Sequence, residues 1–272
     1  MSSPSATLTV WAASWLAGDS APDDVIDALV AWAPMHLIGA ADADTASALG
    51  LDWPGITDGG APMLLRVLRR AGNISPTDLR LALPAPGDVR GLPAGTGFAA
   101  AALGAGEGVL VGVAGSAGIG LVPVHEGPDV LRWTVYSVPT VTGPAEYVGL
   151  GEAEYSMREA VRDAAAALLS LQTVPTGTPG DDARAAIADA LSDLAHHRYP
   201  DSLAPRALRV LDSADQVAAI LTVAEHDSTN QPPSISAVHA RESLLRPLWA
   251  AVRSARTAAV ASASSHHPAG EN

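Results

Sequence analysis

The sequence predicts an α+β protein: an antiparallel β-meander flanked by helices, with a helical hairpin toward the C-terminal end. Three observations carry this expectation. Residues 108–141 alternate short β-branched runs with glycine-containing turns. Helical periodicity lies on both sides of that stretch, and the Pro/Gly-rich run 173–180, TVPTGTPG, separates it from a tail that is helical throughout.

The strands come first. Residues 109–113 and 119–124 are apolar and rich in β-branched side chains, which suit a buried pleated surface. Between them AGSAG, residues 114–118, supplies glycines for a tight connection. A second turn at 126–129 leads into 131–138, where Leu131, Trp133, Val135 and Val138 alternate with Arg132 and Thr134. Such alternation puts one face on a core and one toward water or a partner. Residues 78–83 alternate too and predict a further strand.

The helices follow from spacing and caps. Residues 7–16 carry Trp11 and Trp15 four apart, on one helical face. Asp19 or Ser20 caps a second helix, with Pro22 in its first turn and Asp23 and Asp24 near its positive end. Residues 35–39 predict a short strand or buried turn, and 63–70 a helix. After the meander, 151–171 predict a long helix. The tail predicts helices over 181–196, from Pro205, and from Ser234, with Pro247 kinking or restarting the last. The expected organisation is a mixed α/β domain over 1–173, a helical region over 181–262 and a disordered tail over 263–272.

Composition limits the chemistry. All 16 basic residues are Arg, and there is neither Lys nor Cys among the 272 residues. That excludes Schiff-base lysines, a pyridoxal-phosphate anchor, Walker A lysines, thiol nucleophiles and thiolate metal sites. A net charge of −13 opposes nucleic-acid binding, which needs a basic surface. No apolar run reaches the ~20 residues that span a bilayer, and no secretory signal pattern opens the chain. The expected setting is cytoplasmic.

Candidate sites are few. AGSAG matches AxSxG, a variant of the nucleophile elbow, with Ser116 as nucleophile and His125 as base; a strand precedes Ser116, but the expected following helix is replaced by a strand. Asp42-Ala43-Asp44, with His36 as a third ligand, suggests a metal, though the pattern fits a helix cap better and lacks EF-hand spacing. Residues 95–100, GTGFAA, match GxGxxA without a preceding strand. Arg66, Arg69 and Arg70 form a basic cluster best read as a solvated helix face. His196-His197 sits at a helix end as a dipole partner, and His266-His267 is isolated. No metal and no cofactor are expected.

Eight acids precede the first basic residue, Arg66. This one-sided charge, with the strand at 131–138, points to a non-catalytic protein that binds another protein or itself. The residues expected to meet the partner are Asp23, Asp24, Asp27, Arg132, Trp133 and Tyr136. The alternative is a small-molecule hydrolase using Ser116. The segments LALPAPGDVRGLP, GEGVLVG and RALRVLDSADQVAAIL together resemble a family of uncharacterised actinobacterial proteins. The resemblance implies a bacterial group and no particular activity.

Overall fold

The computed structural model describes residues 3–143, 148–170, 181–226 and 235–265. The chain passes through α1 (Pro4–Ala17), α2 (Pro22–Val30), β1 (Met35–Ala40), α3 (Ala43–Leu49), β2 (Thr57–Asp58) and α4 (Gly60–Arg70). A 3-10 turn (Pro76–Asp78) leads to β3 (Leu79–Ala82), α5 (Gly97–Ala105), β4 (Gly108–Val111), β5 (Gly118–His125) and β6 (Val130–Val138). Four helices close the sequence: α6 (Leu150–Ser170), α7 (Asp181–Ala195), α8 (Pro205–His226) and α9 (Ile235–Ser265).

Local chemistry explains most of the helix ends. Ser3 Oγ accepts from Ala6 N at the start of α1, Pro4 occupies its first turn, and Gly18 at φ 87° ends it. Asp24 accepts from Ala21 N at 2.8 Å to open α2. Asp42 accepts from Thr45 N at 2.7 Å and is the N-cap of α3, which is the cap role its spacing suggested. Arg70 Nη1 donates to Leu49 O, closing the other end of α3.

The six strands form one sheet in the order β2-β1-β6-β5-β4-β3. β3 to β6 pair antiparallel, so the meander is present as expected. The sheet is nevertheless mixed rather than antiparallel: β1 runs parallel to β6, with Ile38 opposite Trp133. Alternation specifies the faces of a strand and says nothing of its direction, which is why the parallel pair was not foreseen.

Helices cover both faces of the sheet. On one face Leu8 and Ala12 of α1, Leu29 of α2 and Leu64 and Leu68 of α4 join a core with Ile38, Val109, Leu121, Leu131, Trp133 and Val135. On the other, Phe98 and Ala102 of α5 meet Leu110, Val122 and Val138. Phe98, the only Phe, lies on the bare backbone of Gly108 and Gly120; a Cβ at Gly120 would fall inside its ring. Burying that side chain contributes about 1.5–3 kcal/mol.

The chain divides into two compact units. One is built on Ser3–Tyr147 and takes in His197–Ala204; the other holds Val148–His196 and Pro205–Ala259. The division therefore falls before α6, and α6 belongs with the later helices rather than with the sheet. The Pro/Gly run at 173–180 lies outside the described residues. Within the helical unit α6 and α7 pack on α8. α8 and α9 are antiparallel, because Trp249 Nε1 donates to Glu225 while Arg256, further along α9, pairs with Asp215, earlier on α8. α9 continues through Pro247. It ends at Ser265, so residues 263–265 of the expected disordered tail are helical; the rest of that tail lies outside the described residues.

Candidate functional site

The surface with the densest chemistry is formed by α1 and α2. Trp11 and Trp15 stand on α1, and Trp32 follows α2; all three are partly buried. Each is engaged on a different side. Trp32 Nε1 donates to Thr7 Oγ1 at 2.9 Å, while its ring stacks on His197 with centroids 3.5 Å apart and planes 4° from parallel. Trp11 Nε1 donates to the carbonyl of Arg198 at 2.9 Å. The Arg69 guanidinium lies 4.9 Å from the centre of the Trp15 ring, a cation–π arrangement. Ser14 Oγ shares hydrogen bonds with Ser20 Oγ at 2.6 Å and Ser202 Oγ at 2.9 Å.

Residues 197–204 thus form a strap across Trp11 and Trp32. Asp19, Asp23, Asp24 and Asp27 are exposed around the same helix pair. Asp24 is occupied as a cap. Asp23 and Asp27 lie one helical turn apart on the same face of α2 and are exposed.

The other expected partner residues are not on this surface. Trp133 is wholly buried under α1, α2 and α4, and its Nε1 donates to His36 Nδ1 at 3.1 Å. It can touch no partner, and the expectation is corrected: on β6 the aromatic row is the core row. Arg132 faces the opposite side of the sheet, where both carboxylate oxygens of Glu126 receive its guanidinium at 2.5 and 3.0 Å. That ion pair holds the Glu126 carboxyl below its ordinary range. Tyr136, on the same side as Arg132, packs edge-on against Phe98 with centroids 6.5 Å apart. The acids and the pair Arg132 and Tyr136 therefore do not share one face.

The hydrolase constellation is not assembled. Ser116 is exposed in the turn before β5, where the backbone bonds Gly115 N–Val141 O and Val141 N–Ser116 O pin the loop. His125 ends β5, seven residues beyond Gly118 and on the order of 23 Å along the strand. GTGFAA opens α5 through its Thr96 cap, with a loop instead of a strand before it. The three arginines have separate tasks: Arg70 on Leu49 O, Arg69 over Trp15, and Arg66 exposed.

Two titratable groups of the sheet unit remain, one buried and one half-buried. His36 is wholly enclosed, with Trp133 donating to Nδ1, so the proton resides on Nε2 and is donated to Leu29 O at 2.9 Å. Both ring nitrogens are used, which leaves none for the metal considered above; among the described residues no group of three metal-ligating side chains occurs. Burial holds its pKa below the ordinary value. Glu107 Oε2 accepts from Ser5 N at 2.8 Å in the first turn of α1, and burial raises its pKa against the opposing pull of hydrogen bonds from Ser5 and Ser3. Among the described residues no helix is long and apolar enough to cross a membrane.

Two family models match the chain: "Rv1486c-like protein, N-terminal domain" over residues 5–148 and "Rv1486c-like protein, C-terminal domain" over residues 151–257. Their junction coincides with the start of the helical unit. Related proteins include uncharacterized protein ML1804 of Mycobacterium leprae, 40% identical over 286 residues. Uncharacterized protein Rv1486c of Mycobacterium tuberculosis is 42% identical over 282 residues, and uncharacterized protein MAV321 of Mycobacterium avium 36% over 296. Each alignment covers 94% of this chain and 96% of the relative. No solved structure matches the chain. The chain belongs to the Rv1486c-like family, in agreement with the resemblance seen in its sequence.

Proposed function

We propose that this member of the Rv1486c-like family is a non-catalytic protein that works by binding another protein through the acidic surface of α1 and α2. The observation that carries the reading is Asp23 and Asp27: two exposed carboxylates on one face of α2, in a stretch of 65 residues that contains no Lys or Arg. Charge of one sign on a helical face steers a partner of opposite charge and sets its orientation. Half-buried tryptophans beside those acids supply the apolar anchors that interfaces favour. The cytoplasmic setting expected from the sequence is part of the same proposal.

The test is capture from a lysate of a mycobacterial host by tagged full-length protein, with light scattering on the purified chain alongside. A partner or a defined oligomer retained by the wild type should be lost when Asp23→Arg and Asp27→Arg are combined, at unchanged fold. Equal retention by the charge-reversed protein would refute the acidic surface. A monomer that retains nothing would refute the interaction reading itself.

A further inference from the structure

The strap over the tryptophans carries more than a packing role. It starts with His197 and Arg198, contains Pro200, and lies on a helix pair whose exposed charges are all acidic before Arg66. Its grip on that pair combines a ring stacked on Trp32, a backbone carbonyl on Trp11 and a hydroxyl on Ser14. Two of these three partners recognise features any similar segment could offer: a planar cationic or aromatic group for the tryptophan face, and a main-chain carbonyl for the indole N–H. Trp15 already carries a guanidinium on its ring, so the surface accepts a planar cation as well as a stacked ring.

We infer that the α1–α2 face is a docking groove for a basic, proline-containing segment of a partner protein, held closed in cis by His197–Ala204 until that segment displaces it. This rests on the interaction reading above and specifies its partner's chemistry. The seated strap, which carries Asp201 as well as Arg198, shows the ring and backbone contacts that fit, and the acidic charge of the surrounding helices alone selects for cations. Displacement needs no refolding of the sheet, because the strap joins the unit from a distant part of the sequence and is not one of its strands.

The chain has no cysteine, so the strap can be locked selectively. Ser14 and Ser202 approach at their Oγ atoms to 2.9 Å, close enough for Ser14→Cys with Ser202→Cys to form a disulfide on oxidation. The probe is a fluorescein-labelled peptide of sequence HRYPDSLA, copied from residues 197–204 and titrated into full-length protein by anisotropy. The reduced double variant should bind it, the oxidised form should bind at least tenfold more weakly, and reductant should restore binding. His197→Ala, which weakens the cis occupant, should increase peptide affinity severalfold; a strap with only a structural role would give no such gain. Asp23→Arg with Asp27→Arg should weaken binding. No binding by the reduced protein, or equal binding by oxidised and reduced forms, would overturn the inference. If the oxidised protein still captures a lysate partner while the peptide fails, the groove falls and the acidic-surface reading survives. If the peptide behaves as expected and capture fails, the strap is displaceable but the groove has no partner, and the inference falls with the reading it rests on.

Discussion

The sheet unit and the helical unit enclose polar groups in opposite ways. At the centre of the sheet unit a neutral relay is bonded in sequence, Trp133 to His36 to the carbonyl of Leu29. Their neighbours are large: Leu8, Leu29, Leu64, Leu68 and Trp133 fill the space. The helical unit is packed with small side chains, among them Ala153, Ala207, Ala214, Ala218 and Ala255, and in their midst lies an ion pair. Asp215 Oδ1 receives both Nε, at 3.1 Å, and Nη2 of Arg256, whose side chain is 7% exposed. Burial pulls the Arg256 pKa down; the carboxylate beside it holds the charge. The difference teaches where each unit obtains its uniqueness. Large interlocking side chains admit one arrangement, whereas alanine faces slide, and a buried pair that must meet its partner specifies one register of α8 on α9.

The comparison can be broken most forcefully at the ion pair. Asp215→Ala leaves a buried guanidinium without that carboxylate and should destabilise the helical unit by about 3–5 kcal/mol in chemical denaturation. Replacing both partners, Arg256→Met with Asp215→Leu, should recover most of that loss; if the double variant is as unstable as the single one, the pair contributes more than register.

A smaller effect is expected in the sheet unit. Gly120→Ala drives a methyl into the Phe98 ring and should cost about 1–3 kcal/mol through forced displacement. Adding Phe98→Leu should return part of it. A thermal melt in which the two substitutions simply add would disprove the close packing of that ring on the strand.

The pH dependence comes next, and it belongs to the sheet unit, which holds both groups concerned. His36 is kept neutral by burial, its pKa below the ordinary 6.5. The unfolded chain therefore takes up its proton first, so this contribution to stability is complete above 6.5 and is lost as pH falls below it. Glu107 acts in the other sense: its raised pKa favours the fold below 4.5, and that advantage is lost as pH rises through the folded value. Urea midpoints measured between about pH 5 and about pH 8 should fall on the acid side in a Glu107→Gln background, and adding His36→Gln should flatten them. A slope unchanged by His36→Gln would place its origin elsewhere.

The smallest change in stability is expected where the largest change in binding is sought. Asp23→Arg with Asp27→Arg alters exposed positions only and should move stability by less than about 0.5 kcal/mol per substitution. A larger loss by thermal melting would mean that these carboxylates serve the fold, and would remove the reason for assigning them to a partner.

Much of this was legible in the residues themselves. Meander, helical tail and the cap of α3 follow from alternation, glycine turns and side chains such as Asp42, whose oxygen reaches an amide three residues on; the start of α2 does not, since its N-cap is Ala21 rather than Asp19 or Ser20. The candidate surface was half legible. Asp23 and Asp27 were singled out by charge, and Trp11 by helical spacing, but Trp32 was passed over and His197 was read as a helix-end residue. No local pattern joins Trp32 to a ring 165 positions away. Trp133 was misplaced for a related reason: alternation divides Leu131–Val138 into two faces without saying that helices will cover both.

What the sequence by itself determined is therefore most of the elements (α5 and β2 were not foreseen), the acidic bias and the absence of lysine and cysteine chemistry, because these depend on each residue's own conformational and solvation preferences. Tertiary structure alone decided that β1 runs parallel to β6, that Gly108 and Gly120 make room for Phe98, that α6 joins the later helices, and that a strap from residue 197 onward lies on the first two. Each of those is a contact between segments remote in the chain, whose energy appears only when both are in place.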